Sequence, residues 1–323
     1  MELPGYTAIS GVLYIKGKAH PFHFGKLSNG QKPNDHTIYE IGSIAKTYTG
    51  LLLSQAVYDN KIKLDDDVRS YLGDKYPNLV LSNNEPITFR HLITHTSGLP
   101  PVINCNNNGQ TAHEQAACFE HFTKADFFKE LKNVKITDQS GKNYHYSSVG
   151  IQLVGYILEN VYHSSFDDLF KKYIFSRFGD RNVFSELKSK ENAQASVGKN
   201  SKGEPMPLIN GFYRYAGGLK TTTHSMLNYI RGCLESNDKV IKQMMTRLTG
   251  DVQYGRAYAW NTFNYNGADK MLYHNGGTLG HSSWIALYPD QKIGIFIVTN
   301  VVTANSQSKL NELSNSIINQ IKS

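Results

Sequence analysis

The chain has 323 residues, of which 40% are hydrophobic and 19% are charged, and it carries a formal net charge of +7 with an isoelectric point near 9.0. This length provides a large core, arranged either as one domain or as two lobes. The lysines are dispersed and form no basic block, so the charge favours solubility over a nucleic-acid partner, and no apolar run of about 18 residues predicts a membrane span.

The first predicted elements are a β-hairpin and a helix. Residues 7–26 carry apolar side chains on both sides of a turn at Gly17-Lys18, which is typical of two paired strands. A loop then leads into a helix that starts at Ser43 and ends near Asp59, because the second half of this segment is mostly apolar.

Ser43 and Lys46 stand three positions apart at the start of this helix, so they share one face. A serine hydroxyl becomes a nucleophile when a base takes its proton, and a lysine can be that base where burial keeps part of it neutral. Four further Ser-x-x-Lys spacings lie in polar surroundings typical of solvated segments. Only Ser43 both follows a glycine and precedes a long apolar run, so it is the candidate nucleophile.

The middle of the chain begins with two segments that carry helix-start signals. The acidic cluster at 65–67 favours a helix N-terminus over a metal site, because no glycine-containing calcium loop follows it. The segment 88–98 begins like a capped helix and ends at Gly98. His91 and His95 have a spacing that can bind a metal, but a third ligand is not evident, so structural roles are favoured.

Loops and short helices are predicted for much of the region that follows. Residues 101–120 are polar and asparagine-rich and indicate a surface loop, whereas 123–133 indicate a short amphipathic helix. A further helix is predicted over 166–178, and the polar stretch 185–204 is predicted to be irregular.

Tyr146 immediately precedes another apolar helical run. Ser147 or Ser148 can cap that helix, which would hold the phenol at the helix mouth and outside the core. Tyrosine is common in this chain, with 20 residues, so the tyrosine and its two serines are not specific on their own.

Strands return from about residue 210. A glycine-containing loop and a helix capped by Thr223 precede strands at 254–260 and 271–274, a hairpin at 282–299 and a terminal amphipathic helix. Strands thus lie at both ends of the chain. This order predicts an α+β fold, in which an antiparallel sheet built from both ends is flanked by helices and carries a mostly helical inserted lobe.

The predicted fold divides the chain into two lobes. The sheet lobe is placed at about 1–60 and 206–323, and the helical lobe at about 61–205.

Cys105 and Cys118 could form a disulfide in an oxidising compartment, with free thiols as an equal alternative. No spacing suggests a metal site, and no cofactor is predicted. We expect a periplasmic or secreted protein if a signal peptide has been removed, and a cytoplasmic one if the chain is complete.

Three motifs occur in order along the chain: Ser43-Ile-Ala-Lys46, Tyr146-Ser-Ser148 and His274-Asn-Gly276. Together they resemble the penicillin-recognising serine hydrolases, which include class C β-lactamases, D-alanyl-D-alanine carboxypeptidases, D-aminopeptidases and related esterases. The segments 91–100 and 216–219 also look like parts of this family, so the resemblance covers nearly the whole chain. It implies the β-lactamase/penicillin-binding-protein-like fold.

The resemblance implies a role for each motif. Ser43 would be the nucleophile, and Lys46 would be the general base that assists acylation. Tyr146 would lie beside both and relay protons, either as a phenolate or by sharing a proton with Lys46. The backbone N–H groups of Ser43 and Gly277 would form the oxyanion hole, and Gly276 and Gly277 would let the substrate backbone approach the strand edge.

Two positions depart from the class C pattern. Ser148 stands where those enzymes have asparagine, and His274 stands where they have lysine. Lysine carries a permanent positive charge, whereas the charge of a histidine depends on pH. We therefore expect carboxylate substrates to bind more weakly as pH rises through the pKa of His274.

These variants look more like the peptidase and esterase branches of the superfamily. The implied function is hydrolysis of an amide or ester in a small molecule or peptide, through an acyl-enzyme. Two alternatives stay open: a class C-like β-lactamase of weak activity, and a catalytically silent protein that binds peptides or cell-wall fragments.

Overall fold

The computed structural model describes residues 7–73, 75–103, 105, 109–136, 141–211, 213–265 and 269–322. The strands in these residues are β1 (Ala8–Ile15), β2 (Lys18–Gly25), β3 (Tyr39–Glu40), β4 (Val183–Phe184), β5 (Gly198–Lys199), β6 (Pro205–Met206), β7 (Lys220–Thr221), β8 (Thr249–Gly250), β9 (Tyr254–Arg256), β10 (Asn261–Tyr265), β11 (Asp269–Gly277), β12 (Ser282–Tyr288) and β13 (Ile293–Thr299).

The helices are α1 (Ala45–Tyr58), α2 (Phe89–Ile93), α3 (Ala112–His121), α4 (Lys124–Leu131), α5 (Ser148–Tyr162), α6 (Phe166–Phe170), α7 (Ser176–Phe178), α8 (Ser189–Asn192), α9 (Thr223–Glu235), α10 (Lys239–Met244) and α11 (Ser306–Lys322). Short 3-10 turns lie at Gly42–Ile44, Val68–Tyr71 and Pro289–Gln291, and a π-helical turn at Lys171–Phe175 joins α6 to α7.

Eight strands form one antiparallel sheet in the order β2-β1-β13-β12-β11-β10-β9-β8. The N-terminal hairpin pairs with the last strand, so that Ile9 lies opposite Thr299 and Ile15 lies opposite Ile293. Strands from both ends of the chain therefore share one sheet. This confirms the predicted α+β architecture, whereas the boundaries of the two lobes stay a prediction.

The sheet has an apolar core on each face because its strands alternate their side chains. In β13, Ile293, Ile295 and Ile297 pack towards α11, while Phe296 and Val298 join the larger core on the opposite face. That larger core contains the apolar residues of α1, α5 and α9. Helix α1, which begins just after Ser43, is therefore anchored in the centre of the molecule.

Most of the predicted elements are confirmed. The N-terminal hairpin, the helix that follows Ser43, the helices predicted over 123–133 and 166–178, the C-terminal hairpin and the terminal helix all occur. Asp67 caps the 3-10 turn at Val68–Tyr71 by accepting the Arg69 N–H at 2.9 Å, so part of the acidic cluster has the predicted capping role.

The predicted surface loop at 101–120 is wrong in its second half, which forms α3. Thr111 caps this helix and exchanges hydrogen bonds with Glu114 in a capping box. That pairing of threonine and glutamate three positions apart is a helix-start signal that polar composition obscured. The stretch 185–204 likewise contains α8, one turn long, and Thr222 rather than Thr223 caps α9.

Two predicted elements end early, each shortly before a residue with a left-handed backbone conformation. The helix predicted over 88–98 ends at Ile93, and His95 has φ +61°. The strand predicted over 254–260 ends at Arg256, and Ala259 has φ +59°. Neither helix nor strand continues through such a residue.

Cys105 and Cys118 form a disulfide, which decides between the two alternatives left open by the sequence. Cys233 is a free, buried thiol. Among the described residues, every helix is too short or too polar to cross a lipid bilayer.

Candidate active site

Ser43 lies in the 3-10 turn that joins β3 to α1, and its side chain is partly exposed. Gly42 makes this turn possible because its φ is +50°, which an L side chain rarely adopts. A Cβ at Gly42 would also lie 2.5 Å from the backbone nitrogen of Gly277. The end of β11 thus packs directly against the turn that carries the candidate nucleophile.

Lys46 is fully buried one helical turn after Ser43. Its Nζ donates a hydrogen bond to Ser43 Oγ at 3.1 Å and another to the carbonyl oxygen of Ala216. Burial lowers the pKa of Lys46 to about 7, because the ammonium form loses its hydration. A substantial fraction of Lys46 is therefore a neutral amine at neutral pH, as a general base requires.

Tyr146 donates a hydrogen bond from its hydroxyl to Ser43 Oγ at 2.6 Å. It stands immediately before Ser147, whose side chain caps α5 by accepting the Gly150 N–H at 3.0 Å. The phenol is therefore at the helix mouth. Burial raises the pKa of Tyr146, so the phenol is protonated at neutral pH, and the phenolate suggested as one option is not the resting form.

The two glycines at the end of β11 have different surroundings. Gly277 is exposed, and a Cβ there would lie 2.5 Å from Gln307 Nε2. Gly276 is buried, and a Cβ there would lie 2.0 Å from the carbonyl oxygen of Ile41 and 2.3 Å from Ser283 Oγ. The role of Gly276 in admitting the substrate backbone stays a prediction. Because Gly276 has no side chain, the carbonyl oxygen of Ile41 can pack closely against it.

His274 lies in the same strand and does not supply the predicted titratable cation. Burial, with the charge of Lys46 as the next cause, lowers the pKa of His274 to about 3. Its Nδ1 lies 2.6 Å from the Asn275 carbonyl oxygen, and because a carbonyl only accepts, the proton is on Nδ1. His274 is thus neutral over the physiological range, and the predicted loss of carboxylate binding through its titration is wrong.

Ser148 is the first residue of α5. Its backbone N–H donates to the carbonyl oxygen of Pro101 at 3.0 Å, and its side chain is partly exposed. Its role in binding substrate stays a prediction, as does that of Gly277.

A family model described as Beta-lactamase matches residues 7–315. The chain belongs to the β-lactamase family. The match spans the motifs of Ser43, Tyr146 and His274 together.

Relatives of known structure share the fold. A β-lactamase/D-alanine carboxypeptidase from Yersinia pestis, solved with citrate, superposes with a TM-score of 0.86 at 19% identity, over 99% of this chain and 94% of its own. A class C β-lactamase from Rhodobacter sphaeroides gives 0.80 at 18% identity, over 98% and 95%. These likenesses confirm the β-lactamase/penicillin-binding-protein-like fold.

The curated relatives include Protein flp of Staphylococcus aureus strain N315, which is 25% identical over 301 residues. The alignment covers 89% of this chain but 58% of that protein, so the chain spans little more than half the length of the curated relatives it matches.

Arg256 is a residue near the site that no motif indicated. Its guanidinium carbon lies 4.2 Å from the centre of the Tyr144 ring, and its Nη1 donates to the Gly255 carbonyl oxygen at 2.8 Å. Its charge contributes to the lowered pKa values of His95 and His274, after burial and Lys46. Among the described residues, no carboxylate forms an ion pair with Arg256.

Glu40 is a second functional candidate that sequence reasoning missed. It precedes the Ser43 turn in β3 and is buried. Its carboxylate accepts the Ile209 N–H at 2.6 Å, the Thr278 hydroxyl at 2.7 Å and the His281 Nδ1–H at 3.1 Å. Because Thr278 follows Gly277 directly, Glu40 ties the strand end beside Ser43 to the loop at Ile209.

The two histidines that could have shared a metal have separate contacts. His91 Nδ1 accepts the Thr88 N–H at the start of α2, at 3.2 Å, while the His95 ring lies against Tyr146. Among the described residues, no three metal-binding side chains are grouped to hold an ion.

Proposed function

We propose that this β-lactamase-family protein is a serine hydrolase that cleaves an amide or ester through an acyl-enzyme on Ser43. The observation that supports this most strongly is the pair of hydrogen bonds to Ser43 Oγ, at 3.1 Å from Lys46 and at 2.6 Å from Tyr146. One partner is a lysine whose pKa is lowered to about 7, and the other is a phenol that keeps its proton. A general base, Lys46, and a general acid, Tyr146, are thus both within hydrogen-bond distance of the same nucleophile.

In the acylation step, neutral Lys46 takes the proton from Ser43 Oγ as the oxygen attacks the substrate carbonyl carbon. The carbonyl π electrons move to its oxygen, and the N–H groups of Ser43 and Gly277 stabilise that oxyanion. When the C–N or C–O bond breaks, Tyr146 donates its proton to the leaving group. The Lys46 ammonium then restores the phenol, so the acyl-enzyme forms with both groups neutral.

Deacylation follows the same proton path in reverse. As a water molecule attacks the acyl carbon, Tyr146 takes a proton from the water and gives its own phenol proton to neutral Lys46. When the second oxyanion collapses and the bond from the acyl carbon to Ser43 Oγ breaks, the Lys46 ammonium returns its proton to Ser43 Oγ, and the product acid leaves. No group is consumed, as a hydrolase cycle requires.

The substrate we propose is a peptide whose C-terminal carboxylate binds Arg256. Arg256 supports this because its charge acts on His95 and His274 at the site and has no ion-pair partner among the described side chains. Neutral His274 leaves the guanidinium as the fixed cation on this side of the site. Two neighbours are named β-lactamase/D-alanine carboxypeptidases, so we propose a peptide ending in a D-amino acid as the first substrate to test.

The Cys105–Cys118 disulfide supports a place in an oxidising compartment, where cell-wall peptides are also found. We therefore propose a periplasmic or extracellular site of action. Reactivity of both thiols in protein isolated from its native host without reduction would contradict this proposal.

The test of the acyl-enzyme is intact-protein mass after exposure to a penicillin and, separately, to an activated ester. We expect an adduct or a burst of product in the wild type and neither in Ser43→Ala. Rapid release of the penicillin product would point to the β-lactamase branch instead of the peptidase branch. No adduct and no turnover with either reagent would contradict the proposal and favour a silent binding protein.

The test of the substrate is the paired use of a peptide ending in D-alanine and the same peptide with an amidated end. We expect Arg256→Ala to raise KM for the free acid by about tenfold to 100-fold and to leave the amide nearly unchanged, because a charged hydrogen bond is lost. Exposed Arg181 serves as the control, since Arg181→Ala removes one positive charge from the surface. Equal effects of Arg256→Ala on both peptides would contradict this role.

A further inference from the structure

His95 holds the backbone on both sides of Tyr146. Its carbonyl oxygen accepts the His145 N–H at 2.7 Å, and its Nδ1 accepts the Ser147 N–H at 3.2 Å. The two N–H donors belong to the residues immediately before and after Tyr146, so hydrogen bonds to His95 hold the backbone on both sides of the tyrosine. His95 reaches both donors because it follows α2 in a left-handed conformation, with φ +61°.

The His95 ring also contacts the Tyr146 ring itself. The ring centres are 4.6 Å apart with the planes tilted by 37°, which is close packing between flat side chains. Tyr144 meets the His95 ring edge-on at 5.9 Å. His95 itself is buried. The phenol that donates to Ser43 is thus supported through its ring as well as through its backbone.

These contacts require a neutral imidazole with its proton on Nε2. An N–H donates to Nδ1, so Nδ1 carries a lone pair. Burial, followed by the charge of Lys46, lowers the pKa of His95 well below its ordinary value. The groups that face His95 electrostatically are Lys46, His274 and Arg256, and none of them is an acid that would favour the imidazolium.

We infer that His95 is a positioning residue that fixes the Tyr146 phenol at hydrogen-bond distance from Ser43 by binding the backbone on both sides of Tyr146 and packing against its ring. This inference rests on the proposed function, since it assigns His95 a part in the proton relay of that reaction. His95 does not touch the reacting atoms and acts through Tyr146.

His91 provides a matched control. Like His95, it accepts a backbone N–H at its Nδ1, at the same distance of 3.2 Å, but the donor is Thr88 at the start of α2. Replacing His91 removes the same kind of bond from the same segment without touching Tyr146.

The experiment compares His95→Asn, Tyr146→Phe, the double variant and His91→Asn in single-turnover acylation by an activated ester. Asparagine tolerates the left-handed backbone and its Oδ1 can accept the Ser147 N–H, so the fold is preserved while the ring contact is lost. We expect His95→Asn to lower the acylation rate constant by about tenfold to 100-fold with little change in KM, because a displaced relay group costs rate. In the Tyr146→Phe background, the same change should cost less than about twofold.

A separate measurement on the wild-type protein covers the case in which His95→Asn does not fold. In 15N-histidine NMR, the His95 ring should be neutral, with Nδ1 unprotonated. Protonated Nδ1 would overturn the inference. So would an equal loss of rate from His95→Asn with and without the Tyr146 hydroxyl, or an equal loss from His91→Asn. Absence of any Ser43 adduct in the wild type would instead contradict the proposed function, so the two failures are distinguishable.

Discussion

Two lysines are fully buried among the described residues, and they have different surroundings. Lys46 lies beside Ser43 in α1, and Lys220 lies in β7 next to the Glu40 cluster. Burial lowers the pKa of both, to about 7 for Lys46 and to about 8 for Lys220. Burial alone therefore does not distinguish a base from a structural cation.

The difference lies in their hydrogen-bond partners. Four oxygens lie within hydrogen-bond distance of the three N–H groups of Lys220: Asn210 Oδ1 at 2.9 Å, and the carbonyl oxygens of Ser185 at 3.0 Å, Gly218 at 3.3 Å and Ile209. The charge of Glu40 further favours its ammonium form. Lys46 has one carbonyl acceptor, at Ala216, and the Ser43 hydroxyl. A neutral Lys46 can keep the Ala216 bond and direct its lone pair at Ser43.

The number of hydrogen-bond acceptors around a buried lysine therefore decides whether it acts as a base or as a structural cation. Several oxygen acceptors stabilise the protonated ammonium form of a buried lysine. A single carbonyl acceptor orients the neutral amine and leaves its lone pair available to accept a proton from the serine.

The largest expected effect comes from replacing each lysine by methionine. Lys46→Met should lower the acylation rate constant by about 10²–10⁴-fold, because it removes the general base. Lys220→Met should instead lower the free energy of unfolding by about 3 kcal/mol, since it leaves several buried oxygens without their hydrogen-bond donor. Single-turnover kinetics and urea unfolding, both run on both variants, measure this contrast.

The same loss of stability in both variants would contradict the distinction between them. So would a normal acylation rate in Lys46→Met. The exposed Lys202, changed to methionine, controls for loss of a surface charge.

A smaller effect is expected from Glu40→Gln, which tests the structural side of the comparison. Burial raises the pKa of Glu40, but the hydrogen bond and electrostatic interaction with His281 lower it overall, so the group is a carboxylate. Glutamine cannot accept from Ile209, Thr278 and His281 together. We expect the free energy of unfolding to fall by about 3 kcal/mol. The exposed control Glu85→Gln should have little effect on the free energy of unfolding in the same urea titration. An unchanged free energy of unfolding in Glu40→Gln would contradict the stabilising role of the Glu40 hydrogen bonds.

The fold could be predicted from the sequence largely because its signals are local. Alternating strands, tight turns and apolar helix faces indicated the sheet from both chain ends, and the three-residue spacing placed Lys46 on the face of Ser43. The helix at 112–121 was also marked locally, by its capping box, but its polar composition favoured a loop.

The parts of the site that could not be predicted depend on contacts between distant residues. Lys46 meets Ala216, 170 positions away, and Glu40 meets His281, 241 positions away. Arg256 lies on a three-residue strand with no motif around it. The neutrality of His274 follows from burial and from neighbouring Lys46, which only the folded chain brings together.

The most direct test of the central claim, that Lys46 is the base, is the pH dependence of single-turnover acylation by a neutral activated ester, with Ser43→Ala as background. Because the neutral amine is the reactive form and the pKa of Lys46 is about 7, the rate should fall with falling pH below that value and level off above it. We expect a slope of about tenfold per pH unit on the acid side. A rate that stays flat down to about pH 5, or that rises only above about pH 10 as for an ordinary lysine, would contradict the claim.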